Sequence, residues 1–238
     1  MTWALWGLTL GAGVAAGVVF LALPQIDLAL ARTFYTADAG FLGQRLVWVR
    51  VLRQAFVVIY FGTMALCLVG LVQIWRGRTL WLRLGRAQWL FFAACLAAGP
   101  GLVANLVFKD HWGRARPSQI AEFGGSKAFT PPLLIASQCA RNCSFISGEA
   151  ASTYITLYAA AAVVPQWSAA LIVAGTAGGV ATGLIRMSQG AHFLSDVVFA
   201  GVFMALTVLA LRPLMLGGGV SSLSPRALPV QEVPAPPP

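Results

Sequence analysis

A short polar segment between two long apolar runs carries three residues that could do chemistry together: Arg186, His192 and Asp196. If the second run begins a helix at Phe193, His192 and Asp196 lie on one helical face, where a carboxylate can hold one imidazole nitrogen. The other nitrogen is then free to attack as a nucleophile. Arg186, across a turn that Gly190 can make, supplies a permanent positive charge that suits phosphate oxygens. The alternative is a buried core histidine that is paired with an aspartate.

A second polar cluster lies in the loop after another apolar run and holds three cations, Lys109, Arg114 and Arg116, together with His111. Positive charges this close together repel one another unless an anion lies among them. The cluster therefore predicts an anion-binding loop at a membrane surface. The alternative is a basic rim whose long side chains reach lipid headgroups.

The third cluster comes just before the next apolar run and consists of Ser147, Gly148 and Glu149. Ser147 could cap a helix that starts there, and Gly148 would expose the backbone N–H groups of the first turn to an anion. The alternative is an ordinary helix start, where an acidic residue such as Glu149 interacts favourably with the helix dipole.

The four cysteines fall into two kinds. Cys67 and Cys95 lie inside apolar runs and are typical small core residues. Cys139 and Cys143 share the polar loop before Ser147, where they could form a disulfide if the loop faces an oxidising space. If it does not, they remain free thiols.

The composition of the 238 residues indicates a membrane protein, because 58% are hydrophobic, only 10% are charged, and the mean hydropathy is +0.78. The net charge of +9 comes from Lys and Arg that are scattered among apolar runs. Anionic lipid is therefore the expected partner, and nucleic acid is not. The seven acidic residues form no carboxylate cluster of the kind that holds magnesium or calcium, so we expect no metal and no cofactor.

Six apolar runs are long enough to cross a bilayer and predict an all-α bundle of six transmembrane helices. They cover residues 3–23, 55–75, 87–108, about 147–164, 168–185 and 193–211. The mixed segment 25–54 predicts a short, partly interfacial helix that lies on the membrane. Residues 1–215 are expected to form one membrane domain, and the Gly, Ser and Pro-rich stretch 216–238 a disordered tail.

Six antiparallel spans would bring the three polar clusters to the same side of the membrane. The tight arginine cluster in the loop 76–86 is the densest positive signal in a short loop. Loops on the side of the clusters hold ten of the sixteen Lys and Arg, which by count opposes an outward site, but four of the ten are candidate site residues, which leaves six against six. Because short loops rich in Lys and Arg stay in the cytoplasm, the clusters are expected to face outward.

Taken in order, the three clusters resemble the signature of the type-2 phosphatidic acid phosphatase superfamily, which also contains the vanadium haloperoxidases. The matching positions are Lys109, Arg116, Pro117, Ser147, Gly148, Arg186, His192 and Asp196. They extend over residues 109–196, and the layout of six spans covers the rest of the body. The spans exclude a soluble haloperoxidase.

The resemblance implies a metal-independent phosphatase. Its phosphate-binding residues would be Lys109, Arg116, Ser147, Gly148 and Arg186. His192 would attack phosphorus to give a phosphohistidine, Asp196 would hold the imidazole, and water would later release phosphate. The chemistry agrees with the residue types, because phosphoryl transfer needs positioning and charge neutralisation, which fixed cations can supply.

Two positions depart from the family pattern. Ile185 stands before Arg186, where the family usually has serine, and Glu149 stands where the family places a histidine that protonates the leaving oxygen. A carboxylic acid could do this work if burial kept it protonated, but a helix N-terminus and nearby cations favour its ionised form. His111 is the other candidate proton donor, and Arg114 is an accessory cation.

The expected function is hydrolysis of a lipid phosphate monoester or pyrophosphate in the plasma membrane of a bacterium, with the site facing the periplasm. The segment 143–149 is similar to bacterial members of the superfamily that include phosphatases of lipid A. Lipid A, an undecaprenyl pyrophosphate, phosphatidylglycerophosphate and phosphatidic acid are the candidate substrates. The alternatives are a lipid phosphotransferase that uses the same intermediate and a phosphate-binding membrane protein that is catalytically impaired.

Overall fold

The computed structural model describes residues 2–78 and 84–217, and nearly all of its regular structure is helical. The helices are α1 (Thr2–Ala22), α2 (Gln25–Arg32), α3 (Val47–Trp75), α4 (Arg86–Leu96), α5 (Gly148–Val163), α6 (Ser168–Ser188) and α7 (Leu194–Leu216). A two-stranded antiparallel hairpin, β1 (Tyr35–Thr36) and β2 (Gly40–Phe41), lies between α2 and α3. The predicted all-α class is therefore confirmed.

Within the described residues, five helical segments are long and apolar enough to cross a membrane. They are Trp3–Ala22, Val47–Trp75, Arg86–Lys109, Pro165–Ser188 and Leu194–Leu216. Their outer surfaces carry exposed large apolar side chains such as Val14, Val58 and Val173, which suit contact with lipid chains. The chain is an integral membrane protein.

Helix α5 corresponds to the remaining predicted span but has only 16 residues. At 1.5 Å per residue it is about 24 Å long, which is less than the roughly 30 Å of a hydrocarbon core. It lies inside the bundle, where it packs against α4, α6 and α7. Small residues let the helices approach closely: a Cβ on Gly179 of α6 would lie 2.3 Å from the ring of Tyr154.

The third membrane segment changes its winding along its length. It begins as α4 and continues as a wider π-helical stretch, Ala97–Lys109, which contains Pro100. A proline has no N–H for the helical hydrogen bond, so the backbone must adjust around it. This stretch carries Lys109 to the polar end of the bundle.

The segment 25–54 is not one interfacial helix. It divides into α2, the hairpin, a short 3₁₀ turn (Leu42–Gln44) and the first two turns of α3. The predicted start of the second span at residue 55 is therefore wrong by eight residues, because Arg50 and Arg53 belong to the membrane helix itself. Both arginines line a polar cavity at this end of α3. Their charges therefore lie beside a polar space, and the membrane helix can include them.

Two predicted segments fall wholly or partly outside the described residues. One is the tail 216–238, of which only Leu216 and Gly217 are described. The other is the basic loop 76–86, whose residues 79–83 are not described.

Candidate active site

The three polar clusters of the sequence meet at one end of the bundle through backbone hydrogen bonds. The N–H of Cys143 donates to the carbonyl of Lys109, and the N–H of Ser144 donates to the carbonyl of Arg114. The N–H of Ser147, at the start of α5, donates to the carbonyl of Asp196 in α7. These bonds fasten the long loop and the beginnings of α5 and α7 together.

His192 lies in the turn between α6 and α7, and its side chain is only 1% exposed. Gly190, two residues earlier, has a φ of +65°, so it makes the turn as predicted. The imidazole Nδ1 donates to the main-chain carbonyl of Ser144 at 2.7 Å. Because a carbonyl only accepts, this bond places the proton on Nδ1 and leaves a lone pair on Nε2.

The same imidazole is held in its neutral form. Burial lowers the pKa of His192 to about 4, and the positive charges of Lys109 and Arg186 act in the same direction. The carboxylate of Asp196 opposes this shift, with Oδ2 3.6 Å from Nδ1. His192 can therefore offer an unprotonated nitrogen at neutral pH.

Asp196 contacts His192 electrostatically, while its hydrogen bonds go elsewhere. It accepts from Arg114 Nη1 at 2.6 Å, from Ser144 Oγ at 2.5 Å and from the N–H of Phe193 at 2.8 Å. The imidazole proton itself goes to the Ser144 carbonyl rather than directly to the carboxylate. Ser144 thus links the two residues, since it bonds to both.

Arg114 is completely buried and does not face the other cations of its loop. Its guanidinium forms ion pairs with Asp196 and with Asp27 of α2, the latter at 2.8 Å, and stacks 4.4 Å above the ring of Phe193. Asp27 also accepts from the N–H of Ser195 at 2.8 Å. Arg114 therefore positions the Asp196 carboxylate and has no N–H group exposed to a ligand.

The N-terminus of α5 leaves room for the side chain of Lys109. A Cβ on Gly148 would lie 3.0 Å from Lys109 Nζ, so the absence of a side chain lets the ammonium approach the helix N-terminus. Ser147 occupies the N-cap position, but its hydroxyl makes no capping hydrogen bond. That buried hydroxyl has no partner among the described residues. An unpartnered buried hydroxyl at a helix N-terminus that an ammonium group approaches suits an anion ligand.

Glu149 joins two arginines. Its Oε1 accepts from Arg53 Nη2 at 2.8 Å and from Arg53 Nε at 3.0 Å, and its Oε2 lies 3.0 Å from Arg186 Nε. Arg186 Nη1 also donates to the side-chain oxygen of Gln189. The carboxylate is consequently part of a charged network and is not a free acid.

A polar cavity of about 330 Å³ opens over this network. Its lining residues in the described part of the chain are Gln44, Arg50, Arg53, Arg116, Ser118, Arg186, Gln189 and Ala191. Arg116 is fixed at the rim by two bonds from its Nη2, to the carbonyl and the side-chain oxygen of Asn142. Burial lowers the pKa of Arg116, although Glu149 and Asp196 oppose the shift. Four guanidinium groups around one cavity favour a strongly anionic ligand.

The lining of this cavity includes none of His111, His192, Lys109 and Glu149, although Ala191, the neighbour of His192, does line it. His111 lies elsewhere. Its ring is exposed, and Nδ1 bonds to the carbonyl of Leu106 at 2.6 Å, near the end of its own helix.

Cys139 and Cys143, in the loop that carries Asn142, are joined by a disulfide. Among the described residues, no group of three or more His, Cys, Asp or Glu side chains could hold a metal ion.

Sequence reasoning missed Arg53, Asp27 and Ser144. Arg53 and Asp27 stand in the segment that was predicted to be interfacial, and their partners are 96 and 168 residues away along the chain. Such distant pairs leave no periodic pattern. Ser144 contacts His192 through its backbone carbonyl, which every residue type has, so the sequence cannot indicate this contact. Only its hydroxyl, which donates to Asp196, depends on the residue being serine.

Comparison of the sequence with known proteins finds relatives of this chain. A lipid A 4'-phosphatase of Francisella tularensis subsp. novicida (strain U112) is 38% identical over 210 residues, which cover 84% of this chain and 90% of that protein. A lipid A 4'-phosphatase of Rhizobium leguminosarum is 35% identical over 206 residues, covering 81% of this chain and 88% of that protein. No solved structure matches the chain. The family model described as PAP2 superfamily matches residues 87–217, which contain Lys109, Arg186 and His192, and this chain belongs to that superfamily.

Proposed function

We propose that this membrane phosphatase removes a phosphate group from lipid A or a closely related phosphorylated lipid. Both relatives are lipid A 4'-phosphatases, which supports the substrate, and the arginine-lined cavity supports an anionic headgroup. The observation that carries the chemistry is His192, which is buried with its Nδ1 proton committed to the Ser144 carbonyl.

In the proposed first step, the lone pair of His192 Nε2 attacks phosphorus and the bond from phosphorus to the lipid oxygen breaks. The cations that neutralise the phosphoryl oxygens are Lys109, Arg116 and Arg186, with the Ser147 hydroxyl and the N–H groups at the start of α5. The departing oxygen takes a proton from water, and the imidazole becomes a phosphohistidine.

The carboxylate of Asp196 offsets the positive charge that His192 acquires in this step, since it lies 3.6 Å from Nδ1. Arg114 and Ser144 keep that carboxylate in place. In the second step water attacks phosphorus and loses a proton to the solvent, the bond from phosphorus to Nε2 breaks, and phosphate leaves the neutral imidazole.

We propose that α5 completes a bundle of six membrane-embedded helices, and that the site faces the periplasm across the inner membrane of a bacterium. The short α5 would begin below the surface, at the floor of the site. The disulfide between Cys139 and Cys143 supports an oxidising space on this side. The arginines at residues 76, 78, 83 and 86 support a cytoplasmic location for the other end of α3.

The test is hydrolysis by purified protein in mixed micelles that contain a chelator. The panel is lipid A, undecaprenyl pyrophosphate, phosphatidylglycerophosphate and phosphatidic acid, and lipid A should be the best substrate. His192→Ala should lower kcat by about 10³-fold or more, because it removes the nucleophile. Glu122→Gln, at an exposed loop position, is the matched control and should keep wild-type activity. Full activity in His192→Ala, or hydrolysis of no panel member by the wild type, would refute the proposal.

A further inference from the structure

The contact between Arg53 and Glu149 gives a role to the residue that departs most from the family pattern. Arg53 is on α3, in a segment that precedes residues 87–217, which the family model covers. Its Nε and Nη2 both donate to Glu149, while Oε2 of the same carboxylate lies 3.0 Å from Arg186 Nε. One carboxylate therefore bridges two guanidinium groups that would otherwise repel each other.

The bridge leaves part of each guanidinium available to a ligand. None of the three bonds from Arg53 to Glu149 uses its Nη1 group, and the side chain is 44% exposed and lines the polar cavity. Arg186 lines the same cavity. Because Arg53 donates to the carboxylate from Nε and Nη2, its other N–H groups point in a fixed direction, which lowers the entropy cost of binding a phosphate oxygen. Arg186 Nε forms an ion pair with the same carboxylate but no hydrogen bond.

The same geometry is unfavourable for acid catalysis by Glu149. A protonated carboxyl group would leave Arg53 and Arg186 facing each other without an anion between them, so the network holds only while Glu149 is ionised. An ionised carboxylate has no proton to give. The proton for the departing oxygen then comes from water in the polar cavity.

We propose that Arg53 is a further phosphate-binding residue of this site, and that Glu149 is a positioning residue which orients Arg53 and Arg186. This inference rests on the proposed phosphatase function and deepens it. It replaces the expectation that Glu149 protonates the leaving group.

The experiment compares Glu149→Gln and Arg53→Gln on aryl phosphates whose leaving groups differ in pKa, in mixed micelles. If Glu149 positions the arginines, both variants lose about 10- to 100-fold in kcat/KM, by the same factor for every leaving group. The double variant should be no worse than about the poorer single variant, because the two residues act as a unit. Arg53→Lys, which keeps the charge but loses the fork, should recover part of the activity.

A loss in Glu149→Gln that disappears for the most acidic leaving group would overturn the inference, because that dependence is the property of a general acid. Losses that multiply in the double variant would overturn it as well. Arg76→Gln, at the exposed far end of the same helix, and Glu122→Gln are the matched controls.

Binding of inorganic vanadate, measured by calorimetry, tests Arg53 without turnover. Arg53→Gln should weaken it by about 10-fold or more, and unchanged affinity would refute a ligand contact. If the wild type hydrolyses no lipid of the panel, or if His192→Ala keeps full activity, the proposed function is refuted instead. The two failures can therefore be told apart.

Discussion

At the scale of single residues, a backbone carbonyl and a carboxylate act on the His192 imidazole in different ways. The Ser144 carbonyl accepts the Nδ1 proton and so fixes the tautomer. Asp196 adds negative charge at 3.6 Å without taking the proton. Burial alone would make a positive imidazole costly, so we expect the carboxylate to matter most in the proposed step in which His192 becomes charged.

The titration of His192 can be predicted from this arrangement. The ordinary pKa of histidine is about 6.5, and burial lowers that of His192 to about 4. Between these two values the unfolded chain binds a proton that the folded chain refuses, so stability should fall as the pH is lowered from 6.5 toward 4. Nε2 of His192, the proposed nucleophile, should stay unprotonated down to about pH 5.

Nitrogen NMR of the histidine rings can measure this directly, because the chain has only two histidines. In His111→Gln the remaining ring should show a proton on Nδ1, a bare Nε2 and a midpoint near 4. A midpoint near 6.5, or a proton on Nε2 at neutral pH, would contradict the structure.

The residues that sequence reasoning identified are those whose signal is local. Lys109, Gly148 and Arg186 each belong to a short motif, and the structure groups Arg186 with Glu149 and Lys109 with Gly148. Arg53 and Asp27 could not be found in this way, because their roles depend on partners that folding brings from distant segments. Arg114 was seen as one of three loop cations, but its burial against two carboxylates could not be inferred from its neighbours in sequence.

At the scale of elements, α2 is a short helix that supports the active site from outside it. Its Asp27 accepts the N–H of Ser195 in the first turn of α7, one of the backbone donors that a helix start leaves unsatisfied. The same carboxylate pairs with buried Arg114. Burial raises the pKa of Asp27, against the opposing effect of Arg114. The pattern of charges predicted an amphipathic segment here, but only the folded chain shows that α2 holds α7.

Asp27→Asn should therefore destabilise the protein as well as slow it. Removing one partner of a buried ion pair typically costs about 3–5 kcal/mol, which corresponds to a fall of roughly 10 °C in Tm for a chain of this size. Because Arg114 also holds Asp196, kcat should fall too. Thermal unfolding in detergent measures the first effect, and turnover of lipid A measures the second.

Asp38→Asn is the matched control, since Asp38 is exposed in the turn of the hairpin. It should melt like the wild type. If Asp27→Asn also melts like the wild type, α2 does not support the site through this carboxylate.

At the scale of the whole molecule, an apolar body carries its polar groups at one end. The helices present large aliphatic side chains outward, whereas Arg114, His192 and Asp196 are buried among the helix ends and loops. Helix α3 sets the distance between the two ends: its 29 residues extend about 44 Å, more than the roughly 30 Å of a hydrocarbon core. Arg53 near its start and Arg78 just beyond its end are thus expected on opposite membrane sides.

This separation allows the orientation of the site to be tested by labelling single cysteines in spheroplasts with a maleimide that cannot cross membranes. Ser126→Cys lies in the exposed loop on the site side, and Arg78→Cys is exposed beyond the other end of α3. If the site faces the periplasm, Ser126→Cys should react before lysis and Arg78→Cys only after it. The native Cys67 and Cys95 are fully buried and should contribute little background. The reverse pattern would place the site in the cytoplasm. Labelling of both positions before lysis would show that α3 does not span the membrane, since its two ends would then share one side.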